Sequence, residues 1–302
     1  MDITKAFKNE RLLKSLTGLS KKEFDDLLVT FTICLAEDQH LASNAKKNGF
    51  GQGAKGKLPT PELKLLFTLF FVKSYVTYDI LGFVVGFDRS NAQRNTIFLL
   101  STLEKSLGRK IVMPERKINK IEDLYKMIPE AKLLKDIFVD GVERPVQRPK
   151  KSSQQKKLYS GKKKTHTKKT IIITDEHKRI LLATPTKTGR RHDKRVVDNQ
   201  SIFEAIPESV TIWADTGFQG LLKQHKNSML PKKASKNYPL TFEDRQENKT
   251  ISGIRIIVEH AIGGAKRYKA FSDIYRNKLA KMDDQLMLIA CGLWNLHLAH
   301  TA

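Results

Sequence analysis

The sequence predicts an α/β chain in which an all-helical N-terminal region precedes a sheet flanked by helices. Three observations carry this. Up to about residue 107 apolar residues recur at helical spacing behind recognisable caps; from Lys132 the pattern becomes that of strands; and two long helical patterns close the chain. With 302 residues, 40% of them hydrophobic, the chain can build two cores, and the composition suggests domains at 1–110 and 132–302.

The first helices place Leu12, Leu13 and Leu16, then Phe24, Leu27, Leu28 and Phe31, in buried stripes, and Ser20 with Glu23 three residues later forms a capping box. Asn44 to Lys57 reads as a loop. Its Gly51, Gly53 and Gly56 have GxGxxG spacing, and Gly56-Lys57 almost completes a P-loop, but Leu58 stands where Ser or Thr is needed and no strand precedes it. A linker without nucleotide binding is expected. Thr60 with Pro61, Thr77, and Asp88 then cap three helices, and Gly86 ends the second. A short helix, a glycine turn and a helix opening with Arg89, Asn91, Gln93 and Arg94 is a helix-turn-helix layout whose side chains suit base edges. An ordinary three-helix bundle with a polar face has the same pattern.

In the second region DIFVDGVERPV reads as a strand carrying Asp140, a turn and a return strand. THTKKTIIITD and RILLATP follow as two strands joined by a tight turn at Asp175 to Lys178, completing an antiparallel meander. SVTIWADTGFQG supplies another buried strand ending at Asp215, SMLPKKA a shorter one, and helices follow over about Phe242–Tyr268 and Leu279–His300. Asp140 and Asp215 each close an apolar run and precede a glycine within two residues, which is also how ordinary turn residues look. Glu259 shares a helical face with Arg255 and Lys266, as a surface salt-bridge ladder would. Together, three carboxylates in a basic setting suggest metal-dependent phosphodiester chemistry.

Lys and Arg number 55 against 32 Asp and Glu, a net charge of +23 that points to a polyanion such as nucleic acid. The excess is concentrated: Arg144 to Arg195 hold 18 basic residues against Asp175, Glu176 and Asp193, interleaved with runs such as IIIT that disordered tails lack. Cys34 and Cys291 have neither disulfide-framework nor zinc-ligand spacing. No signal peptide or bilayer-length apolar run occurs, so a soluble, cytoplasmic, nucleoid-associated protein is expected.

Four ordered blocks, DGVERPVQRP, QKKLYSGKKKTHTKKTIIITD, WADTGFQG and VEHAIGGAKRYKAF, resemble the DDE transposases of bacterial insertion sequences, especially the Harbinger-related branch, over about residues 60–300. The resemblance implies an RNase H-like catalytic domain, with a mixed sheet flanked by helices, behind the helix-turn-helix-like region. It implies that Asp140, Asp215 and Glu259, at intervals of 75 and 44 residues, form a catalytic triad holding two Mg²⁺ ions, with Mn²⁺ as a substitute. Arg255 and Lys266 match the family's signature around the glutamate and would hold phosphate; Ser252 replaces its tyrosine. Lys156, Lys157, Lys162, Lys163, Lys164 and Lys168 would clamp phosphates beside the first carboxylate. The implied partners are double-stranded DNA, as terminal inverted repeats and target, and a second copy in a homodimer, with no membrane and no nucleotide cofactor. Tyr159 and His166 are read as strand packing, with DNA-backbone contact as the alternative, His192 and His260 as structural or phosphate-facing, and Trp213 and Trp294 as core. The rivals are a domesticated or inactive transposase descendant that binds DNA without cutting, and a basic RNA-binding or architectural protein whose carboxylates only cap turns.

Overall fold

A computed structural model describes residues 3–44, 56–125, 134–236 and 239–301. They fall into two units, Met1–Met113 with Lys266–Asp273 and Gln285–Ala302, and Pro114–Ala265 with Ile274–Asp284.

The first unit is helical. Asn9 caps α1 (Glu10–Thr17), whose end is Gly18 at φ 81°. A side chain there is doubly excluded, because a Cβ would lie 2.8 Å from Tyr268 Cε1. The expected capping box opens α2 (Lys21–Asn44): the Ser20 N–H donates to Glu23 Oε2 at 2.6 Å and the Glu23 N–H to Ser20 Oγ at 3.3 Å. Leu13, Phe24, Leu27 and Phe31 are buried, whereas Leu12, expected inside, is 38% exposed, since the two-turn α1 has only one face toward the core. Thr60 caps α3 (Pro61–Ser74), Thr77 caps α4 (Tyr78–Val85), Gly86 ends α4 at φ 77°, and Asp88 caps α5 (Arg89–Arg109). Gly51 and Gly53 of the glycine loop lie outside the described residues.

The second unit is built on a mixed sheet. In chain order it contains α6 (Glu122–Tyr125), β1 (Asp136–Pro145), α7 (Ser152–Leu158), β2 (Tyr159–Ser160), β3 (Thr165–Asp175), β4 (Ile180–Ala183), β5 (Lys187–Thr188), α8 (Asp193–Asp198), β6 (Thr211–Ala214), β7 (Ser228–Met229) and α9 (Phe242–Ala265). Strand β1 is central. It pairs antiparallel with β3 from Ile137 to Pro145 and parallel with β6 from Asp136 to Val139; β2, β4 and β5 pair with β3, and β7 extends the parallel side.

DIFVDGVERP is therefore one strand, not the expected strand, turn and return. Asp140 pairs with Ile172 and Gly141 with Ile171, so the ladder to the long β3 runs straight through the Asp-Gly step and overrides its local turn tendency. The turn after β3 forms as expected, closed by the Lys178 N–H on the Asp175 carbonyl at 3.2 Å with Lys178 at φ 67°. Ile137, Val139, Ile171, Ile173, Ile212 and Ala214 pack into the unit's core with Val196 and Val197 of α8 and Phe218. That core fixes the strands from which the acidic residues emerge.

The chain closes with α10 (Lys269–Ser272) and α11 (Met282–Ala299). Trp213 and Trp294, expected as core, are half-buried; Trp213 stacks on Phe138 and donates its indole N–H to Asp136 at 2.7 Å. Among the described residues no helix is long and apolar enough to cross a membrane.

Candidate active site

Val139 and Ala214 are the last paired residues of the parallel β1/β6 ladder, and the residues that follow them are Asp140 and Asp215. Asp140 lies in the middle of β1 instead of closing a strand, yet it marks the point where β6 departs. Parallel register thus brings two residues 75 apart in sequence to the same level of neighbouring strands.

Each carboxylate is held by a nearby glycine amide. The Gly141 N–H donates to Asp140 Oδ1 at 2.8 Å and the Gly217 N–H to Asp215 Oδ1 at 2.7 Å. Burial pushes the Asp140 carboxyl above its ordinary range; Arg255 and the Gly141 N–H oppose this, and the charge of Asp215 reinforces it. The two aspartates therefore repel, and the site favours a positive charge beside them. Two side chains supply some: Arg255 Nη2 is 3.7 Å from Asp140 Oδ1, and Lys162 Nζ is 3.8 Å from Asp215 Oδ2.

A third acidic residue stands next to this pair. Asp193 opens α8, is 8% exposed, and places its carboxylate against both glycines. A Cβ on Gly141 would lie 3.0 Å from Asp193 Oδ1, and one on Gly217 would lie 3.0 Å from Asp193 Oδ2 and 2.8 Å from Asp215 Oδ1. Lys169, also buried, reaches Asp193 Oδ1 at 2.7 Å and Glu143 Oε1 at 3.4 Å and donates to the Arg191 carbonyl at 2.9 Å. Glu143 in turn accepts from Thr167 Oγ1 at 2.6 Å. In sequence Asp193 is only one charge within GRRHDKR; its signal is the pair of glycines that make room for it, which spacing alone does not connect.

Glu259 is exposed on α9, one turn beyond the buried Arg255. Among the described residues no three His, Cys, Asp or Glu side chains are gathered closely enough to hold a metal ion. The structure thus sets Asp140 beside Asp215 and places Glu259 on the exposed side of α9. The pair itself fits a divalent cation: both groups are hard oxygen donors, they are neighbours, and a bound cation would relieve the repulsion between them.

Lys156, Lys157, Lys162, Lys163 and Lys164 are exposed on α7 and on the turn between β2 and β3. Lys168 is engaged internally, its Nζ 2.5 Å from Asp283 and over the Tyr275 ring at 5.2 Å. Tyr159 packs edge-on against His166 across β2 and β3, as expected of strand packing. His192 precedes α8 and is exposed, as is His260.

In the helical unit Arg89 and Arg94 are exposed and Asn91 and Gln93 half-buried on the first turns of α5. Asn91 bonds to Asp88 and accepts from Arg94 Nη2 at 2.9 Å. Lys266, exposed, is the residue after the end of α9.

An α/β unit that sets paired aspartates among cations suits a polyanionic substrate, and sequence comparison supplies the class: the chain belongs to the DDE superfamily endonucleases, whose family profile matches residues 139–295. That stretch contains Asp140, Asp193, Asp215 and Glu259. Over 289 residues the chain is 30% identical to a protein of Microchaete diplosiphon named "Probable transposase for insertion sequence element IS702", covering 96% of this chain and 95% of that protein. No solved structure matches the chain.

Proposed function

We propose that the protein is a DNA transposase that binds the terminal inverted repeats of its element, cleaves DNA strands there and joins the ends to target DNA. The observation that carries this is the side-by-side emergence of Asp140 and Asp215 at the end of the β1/β6 ladder, with Arg255 and Lys162 beside them. The mixed sheet, antiparallel on one side of β1 and parallel on the other, supports an RNase H-like reading of the second unit. The named relative and the near-complete coverage of both chains support transposition as the purpose of the chemistry.

Asp140 and Asp215 would hold two divalent ions, Mg²⁺ with Mn²⁺ as substitute, and Glu259 would join them as the third carboxylate of the triad. When bound, such ions activate an oxygen nucleophile and stabilise the leaving 3′-oxygen. The chain's own residues do the rest. Arg255 keeps a cation against Asp140, the glycine amides fix one oxygen of each aspartate, and the exposed lysines of α7 and the following turn hold DNA phosphates. Arg89, Asn91, Gln93 and Arg94 at the start of α5 would read the inverted repeat, with α4 and the Gly86 turn in front of them as a helix-turn-helix. Lys266 would add a phosphate contact, and two copies would hold two ends as a homodimer.

The test is cleavage of a duplex carrying the element's own terminal repeats, with Mg²⁺, by the parent protein and by Asp140→Ala, Asp215→Ala and Glu259→Ala. Cleavage should vanish in all three while DNA affinity stays within about threefold. A variant that still cuts removes its residue from the triad. A parent protein that binds the repeats but never cuts, with Mg²⁺ or Mn²⁺, is a DNA-binding descendant and not an active enzyme.

A further inference from the structure

We infer that Asp193 is a positioning residue of the active site, a buried wedge that sets how Asp140 and Asp215 stand relative to one another. The inference rests on the two aspartates being the metal carboxylates proposed above. Its ground is the position of a single carboxylate between two matching turns. In each turn a glycine N–H holds an aspartate oxygen, Gly141 for Asp140 and Gly217 for Asp215. Asp193 leans on both glycines at once, with Oδ1 and Oδ2 each 3.0 Å from where one of their Cβ atoms would be.

Gly217 makes the relation tight. One point, the site of its missing Cβ, lies within 3.0 Å of both Asp193 Oδ2 and Asp215 Oδ1, so both carboxylates border the space that the glycine leaves open. Any side chain at position 141 or 217 would push Asp193 away, which gives both glycines a steric reason independent of turn conformation.

A buried carboxylate at this place needs a partner to fix it. Lys169 does this: it is 7% exposed at its side chain and lies 2.7 Å from Asp193 Oδ1, and its other contacts, Glu143 and the Arg191 carbonyl, tie it to β1 and to the segment before α8. Asp193 Oδ1 has no hydrogen bond among the described residues, so the contact with Lys169 is an ion pair without hydrogen-bond alignment. The lysine restrains the wedge without consuming all of its acceptor capacity. Asp193 is held by Lys169 and occupies the space that the two glycines leave open; its negative charge also deepens the preference of the pocket for a cation. Outer groups that orient metal-binding side chains typically change metal affinity or activity by about 10- to 100-fold when removed.

The experiment titrates the DNA-free, full-length protein with Mn²⁺ by calorimetry and records thermal stability alongside. Asp193→Ala should weaken Mn²⁺ binding by about 10-fold or more and leave affinity for repeat DNA in EDTA unchanged. It should also lower Tm, because Lys169 loses a partner. Lys169→Met/Asp193→Ala removes that stranded cation and leaves Glu143 with Thr167; Tm should recover while Mn²⁺ binding stays weak. If Asp193→Ala does not fold, the double variant carries the readout. Parental Mn²⁺ affinity in Asp193→Ala, or its return together with Tm in the double variant, overturns the inference and reduces Asp193 to the counter-ion of Lys169. Failure of the parent protein to bind Mn²⁺, or binding undisturbed by Asp140→Ala, would instead sink the assignment of the metal carboxylates, a distinguishable result.

Discussion

Replacing Lys156, Lys157, Lys162, Lys163 and Lys164 together by Ala should flatten the salt dependence of DNA binding by an amount the structure sets. All five are exposed, whereas the sixth lysine of the run, Lys168, is held by Asp283 and Tyr275. Each phosphate neutralised contributes about 0.9 to the slope of log affinity against log salt, so five exposed lysines, with Lys162 turning from Asp215 to phosphate, are worth roughly 4.5. Between 50 and 200 mM salt that share of the affinity falls about 500-fold. The assay is fluorescence anisotropy of a labelled duplex in EDTA across that range, for the parent, the five-lysine variant and Lys168→Ala. Lys168→Ala should change the slope by less than about 1 and lower Tm, because it strands the buried Asp283. A five-lysine variant whose slope stays within about 1 of the parent would show that these lysines do not meet phosphate, and a large slope change from Lys168→Ala would show that its internal contacts give way to DNA.

Three further outcomes follow from local geometry. Ser20→Ala removes one arm of the α2 capping box and should cost about 1 kcal/mol, read as a Tm drop of about 2–4 °C in calorimetry. Asp140 has a folded-state pKa raised above its ordinary 3.8 by burial, so the folded chain binds its proton more tightly than the unfolded chain does. Stability contributed by protonation is thus present at low pH and lost as pH rises from about 4 through the folded value; in metal-free buffer Asp140→Asn should abolish that part of the decline, and identical Tm profiles would contradict it. Gly82→Ala would place a Cβ 2.6 Å from the Phe87 carbonyl oxygen. It should shift the turn between α4 and α5 and destabilise by about 1–3 kcal/mol, with weaker binding to repeat DNA than to unrelated DNA as the sign that this turn aims a recognition helix; equal loss on both would deny it.

The sequence by itself settled the features governed by neighbours along the chain. The caps at Ser20, Thr60, Thr77 and Asp88, the glycine end of α4 and the tight turn after Asp175 all follow from hydrogen bonds spanning two to four residues, and each is present. The concentration of lysines before β3 is likewise a property of composition. What depended on partners far away in sequence was decided only by folding. Asp-Gly at 140 reads locally as a turn, yet pairing along β3 keeps it extended, and only the parallel register with β6 carries Asp215 to its side. Lys168 is indistinguishable from its neighbours until Asp283 is seen to occupy it. Asp193, one acid among many bases, acquires a place because Gly141 and Gly217, 76 positions apart in the sequence, leave between them the space its carboxylate fills. Caps and turns answer to local torsions and short hydrogen bonds, while strand register and burial are set by the whole sheet, and the site is made from the latter.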